Sequence, residues 1–232
     1  MPRTLLAALT ALLLLPATAS AESESVTSGN VTATLSWTGT ADAPQAARLT
    51  ITRSGAVAFE QAISDVVCNG CPLPGNGADD VKLIDLDGLG EPEAVVTGGD
   101  VAGFYSFNEL AGSYDALRFE TPGGFNLDDL DHDGSTEIVM EDTRFKGSVR
   151  PPRIFLFARQ DNVPITADIT TKFTSRIKRN AAAAKRARVW DTYVADQYLL
   201  GHGATGLKEL DRHKSKAYRR ALLKRLKAYG YR

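Results

Sequence analysis

Two aspartate-rich segments of the chain follow the same pattern and begin 44 residues apart. The first begins at Asp85 and the second at Asp129, and both have the form D-x-D-x-x-G-x-x-E followed by a short apolar run. A pattern that recurs at this spacing indicates an internal repeat of one supersecondary unit. Because a short apolar segment also precedes each pattern, we expect each unit to contain a strand, an acidic loop and a second strand.

The acidic segments, here called loop 1 (residues 85–93) and loop 2 (residues 129–137), have the composition of loops that bind a hard cation. Carboxylates at alternate positions of a turn direct several oxygens to one centre, and the glycine at the sixth position permits a sharp bend. Such loops favour Ca²⁺, although aspartate and glycine also cluster in turns that bind no metal. The predicted ligands are Asp85, Asp87 and Glu93 in loop 1, and Asp129, Asp131, Asp133, Glu137 and the backbone carbonyl near Ser135 in loop 2.

The two loops differ at one position that matters for binding. Leu89 stands in loop 1 where loop 2 has Asp133, so loop 1 offers three carboxylates and loop 2 offers four. Because the affinity of such loops follows the number of charged ligands, we expect Ca²⁺ to bind more tightly to loop 2.

The first 21 residues have the features of a secretory signal peptide. Arg3 precedes an apolar stretch at residues 5–15, and Ala19-Ser20-Ala21 matches a signal peptidase site, so cleavage is expected before Glu22. Ala17-Thr18-Ala19 is a second candidate site. The apolar stretch is shorter than the ~20 residues that span a bilayer, and no other segment approaches that length. We therefore expect an exported protein, secreted or in the cell envelope, with no transmembrane segment in the mature chain.

The only cysteines, Cys68 and Cys71, form a C-x-x-C motif. In an oxidising compartment this spacing favours a structural disulfide. The alternative is a thioredoxin-like redox pair, which needs a helix that starts within the motif. Glycine and proline dominate the residues that follow, and they indicate a loop instead.

Charge is distributed unevenly along the chain. Residues 22–171 carry 9 basic and 24 acidic side chains, a net charge of −15, whereas residues 172–232 carry 17 basic and 4 acidic side chains, a net charge of +13. The two parts can attract each other, and the basic part can also attract an anionic polymer such as teichoic acid or nucleic acid. The candidate polyanion-binding residues are Lys178, Arg179, Lys185, Arg186, Arg219, Arg220, Lys224 and Arg225.

Hydrophobic periodicity predicts an α+β protein with a β-domain at residues 22–168 and a basic C-terminal helical segment at residues 169–232. Many short strands separated by turns indicate an antiparallel β-meander, a small sheet or sandwich with strands for about two blade-like units. In the helical segment, apolar residues recur at helical spacing. A lone pair of helices would not bury these stripes well, so we expect the segment to pack on the β-domain.

The loops and the strands after them resemble the FG-GAP or VCBS repeat of integrin-type propellers and many secreted bacterial proteins. Its typical form, D-x-[DN]-G-D-G-x-x-D, implies the same ligands, with Leu89 and the final glutamate of each loop as departures. The chain is also similar to a group of exported actinobacterial proteins in which two such loops precede a helical tail, through residues 193–201 and the ending Tyr229-Gly230-Tyr231. A closed propeller needs about four blades or more, so we expect a smaller architecture.

The sequence contains no recognised catalytic motif, and His132, His202 and His213 have no metal-ligand spacing. We therefore expect a calcium-binding interaction or structural module, with a partner in the cell envelope or extracellular space, rather than an enzyme. The alternative is a hydrolase or binder that acts on an anionic envelope polymer through the acidic loops or the basic tail. An open metal site beside a perturbed acid in a pocket would favour the hydrolase.

Overall fold

The computed structural model describes residues 21–40, 43–63 and 80–231. Cys68 and Cys71 lie outside these residues, as does the predicted signal peptide apart from Ala21, so the disulfide and the signal peptide stay predictions. Within the described ranges, no helix is long and apolar enough to cross a membrane.

The strands of the described ranges form three antiparallel sheets of four strands each, and within each sheet the strands follow chain order. The first sheet contains β1 (Ala21–Ser28), β2 (Val31–Thr40), β3 (Ala43–Arg53) and β4 (Ala56–Ala62). The second contains β5 (Val81–Ile84), β6 (Glu93–Gly98), β7 (Val101–Asn108) and β8 (Ser113–Glu120). The third contains β9 (Phe125–Asp128), β10 (Glu137–Glu141), β11 (Pro152–Gln160) and β12 (Val163–Asp168).

The predicted α+β class and antiparallel meander are confirmed. The number of blade-like units is larger than the sequence indicated, because the structure has three four-stranded sheets where strands for about two were recognised. Strand β1 explains part of the difference. It is polar and mostly exposed, so it lacks the alternation that identified its partner β2, with which it pairs from Ala21 opposite Thr38 to Ser28 opposite Val31.

The second and third sheets repeat one arrangement of strand, acidic loop and strand. Loop 1 connects β5 to β6, and loop 2 connects β9 to β10. In both sheets the glutamate that ends the acidic pattern is the first residue of the second strand: Glu93 lies opposite Ile84, and Glu137 lies opposite Asp128. The 44-residue repeat therefore places the two loops at the same position of their sheets.

The second sheet lies between the other two, and both of its faces are buried. Because successive side chains of a strand point to opposite faces, Val96 packs in one core with the first sheet, while Val95 packs in another with the third. Tyr105 and Phe104 on β7 divide between the same two cores. The loops thus extend from sheets that pack face to face.

The C-terminal segment forms a 3₁₀ turn and four helices, and the last strand ends at Asp168, where the sequence places the end of the β-domain. The turn is Thr170–Lys172, and the helices are α1 (Thr174–Arg186), α2 (Trp190–Leu199), α3 (Gly203–Leu210) and α4 (Lys216–Ala228).

The helices share a core with the connection between β10 and β11. Phe145 of that connection packs against Tyr229 and Tyr231, with ring centroids 5.7 and 5.5 Å apart. The Thr192 hydroxyl donates a hydrogen bond of 2.7 Å to the carbonyl oxygen of Val149. Apolar packing and hydrogen bonds therefore join the helical segment to the third sheet.

Candidate metal sites

Loops 1 and 2 have similar backbone conformations. The fourth residue of each pattern has a positive φ, 72° at Gly88 and 61° at His132, and so does the sixth, 87° at Gly90 and 94° at Gly134. Left-handed backbone at two positions bends each loop sharply and turns its carboxylates inward. His132 therefore serves as a turn residue of loop 2.

Each loop brings three carboxylates together. The oxygens of one group lie within 4.8 Å of one another, and the same holds for the other group, so each can hold a metal ion. The groups are Asp85, Asp87 and Glu93 in loop 1, and Asp129, Asp131 and Glu137 in loop 2. The closing glutamates are fixed alike, because Glu93 accepts a hydrogen bond from the Leu86 N–H at 2.9 Å and Glu137 accepts one from the Leu130 N–H at 2.8 Å.

Two predicted ligands of loop 2 lie outside its carboxylate group. The carboxylate of Asp133 accepts a hydrogen bond of 2.8 Å from the Ser135 N–H, and Ser135 lies against Gly88 of loop 1. Loops 1 and 2 therefore bring the same number of carboxylates together. The roles of Asp133 and of the carbonyl near Ser135 as ligands stay predictions.

The distinguishing residue is Arg159 of β11, which inserts its guanidinium into loop 1. Its Nε donates to Asp87 at 2.6 Å and its Nη2 donates to Glu93 at 2.9 Å. Its Nη1 donates to the carbonyl oxygen of Phe107 at 2.9 Å. The side chains of Asp87 and Glu93 are only 6% and 1% exposed, so these are buried charge-assisted bonds. Loop 1 thus contains a cation supplied by the protein itself.

Burial dominates the acidity of the closing glutamates. It raises the pKa of Glu93 to about 7, against the opposing effects of the Leu86 N–H and of Arg159. It also raises the pKa of Glu137, and the charges of Asp131, Asp133 and Asp129 add to the increase. In loop 2 these three negative charges therefore act together on the glutamate.

Loop 2 has no counterpart of Arg159. Among the described residues, no lysine or arginine forms an ion pair with Asp129, Asp131 or Glu137. Asp129 accepts hydrogen bonds of 3.2 Å from the backbone N–H groups of Asp133 and Gly134, which carry only partial charge. Arg159 carries no signal in the sequence, because nothing in the spacing of β11 connects it with an acidic loop far away in the chain.

The two loops contact each other directly. Thr136 of loop 2 donates its N–H to the carbonyl oxygen of Leu86 at 3.0 Å, and its hydroxyl donates to the carbonyl oxygen of Asp85 at 3.1 Å. One carboxylate oxygen of Asp85 is buried without a hydrogen-bond partner among the described residues. Hydrogen bonds from Thr136 therefore join loop 2 to the backbone of loop 1.

Internal ion pairs engage several of the basic residues that the sequence offers for polyanion binding. Lys185 pairs with Glu209 at 2.9 Å, and Arg219 pairs with Asp211 at the same distance. Arg225 pairs with Asp191 at 2.7 Å. All three pairs lie within the helical segment, so they do not draw it toward the acidic β-domain. The other candidate polyanion-binding residues form no ion pair with any described residue: Lys178, Arg179, Arg186, Arg220 and Lys224.

Comparison with family models, with curated proteins and with solved structures gives no match to this chain, so its own geometry carries the functional interpretation.

Proposed function

We propose that the protein is an exported calcium-binding interaction or structural module of the cell envelope or extracellular space, and that loop 2 holds the ion. The observation that carries the proposal is the contrast between two loops of the same shape. Arg159 lies among the carboxylates of loop 1, whereas loop 2 has the same carboxylate arrangement and no described basic residue in that place.

The electrostatic difference between the two loops is the reason to expect an ion at loop 2. Carboxylates that share a site repel one another and disfavour the charged form, unless an opposite charge is present. In loop 1 the guanidinium of Arg159 supplies that charge. In loop 2 a bound dication would supply it, because the N–H groups that reach Asp129 carry only partial charge.

The chemistry of the donor atoms favours calcium over other metals. Both groups offer carboxylate oxygen alone. Zinc and copper sites in proteins use histidine nitrogen and cysteine sulfur. Mg²⁺ demands near-octahedral geometry, whereas Ca²⁺ accepts an irregular set of carboxylate, carbonyl and water oxygens. An irregular turn with three converging carboxylates suits Ca²⁺.

Ion binding at loop 2 would stabilise the junction of the second and third sheets. Glu137 begins β10, and its neighbour Thr136 is bonded to the backbone of loop 1. An ion that binds only the folded state adds about 2.7 kcal/mol at a concentration 100-fold above its Kd. Calcium should therefore raise the melting temperature, and chelation should reverse the effect.

Calorimetry with Ca²⁺ tests the assignment. We expect one ion to bind the wild-type chain, and we expect Asp131→Asn to weaken binding by roughly tenfold or more, since changes even in the outer shell of a metal site act on that scale. Asp161→Asn, a matched change in the exposed β11–β12 turn, should leave binding intact. Absence of binding to the wild type, or equal loss in both variants, would contradict the proposal.

The hydrolase alternative lacks a supporting observation in the described part of the chain. One cavity, of about 610 Å³, lies between the third sheet and α1, and another, of about 240 Å³, lies beside Tyr229. Neither is lined by a carboxylate of loop 1 or loop 2. The geometry therefore supports a binding or structural module better than an active centre built from the acidic loops.

A further inference from the structure

We infer that the cleft between the third sheet and α1 binds a phosphomonoester carried on a small organic body, such as a sugar phosphate. The cleft has a volume of about 610 Å³, within the usual range for small-molecule sites. Its walls come from β9 and β10, from the residues that lead into β11, and from α1. This inference goes beyond the proposed function and does not depend on an ion in loop 2.

Three guanidinium groups line the cleft. Arg150 comes from the connection before β11, and Arg176 and Arg179 come from α1, where their spacing of three residues places them on one face of the helix. The first turn of α1 contains no acidic residue. No acidic side chain of that turn therefore offsets the charge of the two arginines.

The charge of the cleft matches one phosphomonoester. Among the described residues that line the cleft, Glu141 is the only one with a carboxylate, so three arginines and one glutamate leave a net charge of +2 there. The nearest approach of Glu141 to Arg150 is 3.7 Å, too long for a hydrogen bond, so it leaves the guanidinium donors free. A phosphomonoester carries about −1.5 to −2 at pH 7 and three strong acceptor oxygens.

Apart from the 3.7 Å approach of Glu141 to Arg150, the arginines of the cleft have no acidic partner among the described residues. The Nε of Arg150 is buried without a hydrogen-bond acceptor, and Arg176 and Arg179 form no ion pair with any described carboxylate. Buried N–H groups are almost always paired. A water molecule could satisfy one such group, but it would leave the positive charge of the cleft unbalanced.

The two walls of the cleft are fixed relative to each other. The side-chain amide of Asn180 on α1 donates to the carbonyl oxygen of Arg150 at 2.8 Å. The same amide donates to the carboxylate of Asp196 on α2 at 2.9 Å. The backbone of Arg150 is therefore tied to the helix that carries the other two arginines. This fixes the separation of the two walls before a ligand arrives, which lowers the entropic cost of binding.

The rest of the lining suits an organic body rather than a bare phosphate ion. Val139, Pro152 and Ala183 present apolar surface, and Asn126 presents an amide. A ring that carries C–H groups and hydroxyls can contact both kinds of surface. We therefore expect a sugar phosphate to bind more tightly than inorganic phosphate.

Calorimetry at low ionic strength, with glucose 6-phosphate, inorganic phosphate and glucose, tests the inference. The expected order of affinity places glucose 6-phosphate first and inorganic phosphate second, with no binding of glucose. The double variant R176Q/R179Q should lose about tenfold or more in affinity, because two charge-assisted bonds are removed. The double variant K208Q/K227Q removes two exposed charges of the same helical segment outside the cleft, and it should bind like the wild type.

The single variant R179Q changes an exposed residue and keeps the test valid if the double variant does not fold. Three results would overturn the inference: no binding to the wild type, equal loss in both double variants, or binding only to vesicles that contain phosphatidic acid. Titrations with chelator present should give the same affinity, so failure of the calcium proposal would not be mistaken for failure here.

Discussion

At the scale of single residues, Arg159 decides the character of loop 1. Its charge is fixed, because a guanidinium stays protonated in proteins, and its fork of donors matches two carboxylates at once. A buried ion pair adds little net stability, yet removal of one partner leaves an uncompensated charge at a large cost. The same acidic turn is therefore neutralised from within in one repeat and remains acidic in the next.

Replacement of Arg159 by methionine should convert loop 1 into a second calcium site. Without calcium, the free energy of unfolding should fall by about 3 kcal/mol, because Asp87 and Glu93 lose their buried partner. Millimolar calcium should recover most of that loss and raise the stoichiometry from one ion to two. Denaturant unfolding with and without calcium, together with calorimetry, measures both effects.

The matched control is Arg153→Met on the same strand. Arg153 pairs with Asp168 at 3.1 Å, and both side chains are partly exposed, so its loss should cost little and leave one ion bound. An Arg159→Met chain that still binds a single ion would show that loop 1 cannot accept calcium.

At the scale of elements, a buried acid joins α1 to α2. Asp196 is 0% exposed, and one of its oxygens accepts from Asn180 while the other has no partner among the described residues. Burial raises its pKa to about 8, and the bond from Asn180 opposes this only in part. At neutral pH the folded chain therefore holds the neutral acid, whereas the unfolded chain holds the carboxylate.

The stability that Asp196 contributes should decline as pH rises. Its folded pKa of about 8 exceeds the ordinary value of 3.8, so the contribution is fully present below about pH 4 and is lost by about pH 8. The slope is at most about 1.4 kcal/mol per pH unit. Asp196→Asn should remove this slope, so its stability relative to wild type should improve from pH 5 to pH 8 in denaturant titrations. Asp161→Asn serves as the control, and parallel pH profiles for wild type and Asp196→Asn would refute the assignment.

At the scale of the whole molecule, the helical segment is anchored on the connection between β10 and β11. The Tyr231 hydroxyl donates to the buried carboxylate of Asp142 at 2.9 Å, and Arg144 donates to both oxygens of that carboxylate. Burial would raise the pKa of Asp142, but the bonds from Arg144 and Tyr231 outweigh it and lower the pKa. Because Phe145 packs against the rings of Tyr229 and Tyr231, these two residues are part of the packed structure.

Truncation of Phe145 to alanine should loosen the helical segment. Phenylalanine-to-alanine changes in a core cost about 3–5 kcal/mol, and here the loss falls on the contact between the two parts. Limited trypsin digestion should then remove the segment faster and leave a fragment that ends near Lys172. Leu110→Ala, at a side chain that is 86% exposed, should not change the digestion rate. Equal rates for Phe145→Ala and wild type would mean that Phe145 does not anchor the segment.

The features that could be predicted from the sequence are those that depend on neighbouring residues. Strand alternation predicts the meander, the D-x-D-x-x-G-x-x-E spacing predicts carboxylates that converge, and helical periodicity begins close to the observed 3₁₀ turn at Thr170–Lys172. Strand β1 was missed because a polar, exposed strand carries no periodic signal. The successes and the failure have one physical reason. Backbone preference and burial of one face leave a pattern within a few neighbouring residues, and only elements that show such a pattern can be predicted.

The neutralisation of the loop 1 carboxylates by Arg159 depends on the packing of the sheets and could not be predicted from the sequence. Arg159 and Asp87 are 72 residues apart in the chain, and they meet because the second and third sheets pack face to face. The cleft has the same origin, since Arg150 comes from the β-domain and Arg176 and Arg179 come from α1. Charges and hydrogen bonds act between residues that are far apart in the chain. The composition of a loop therefore indicates which ions it can bind, and the fold determines which side chains lie next to it.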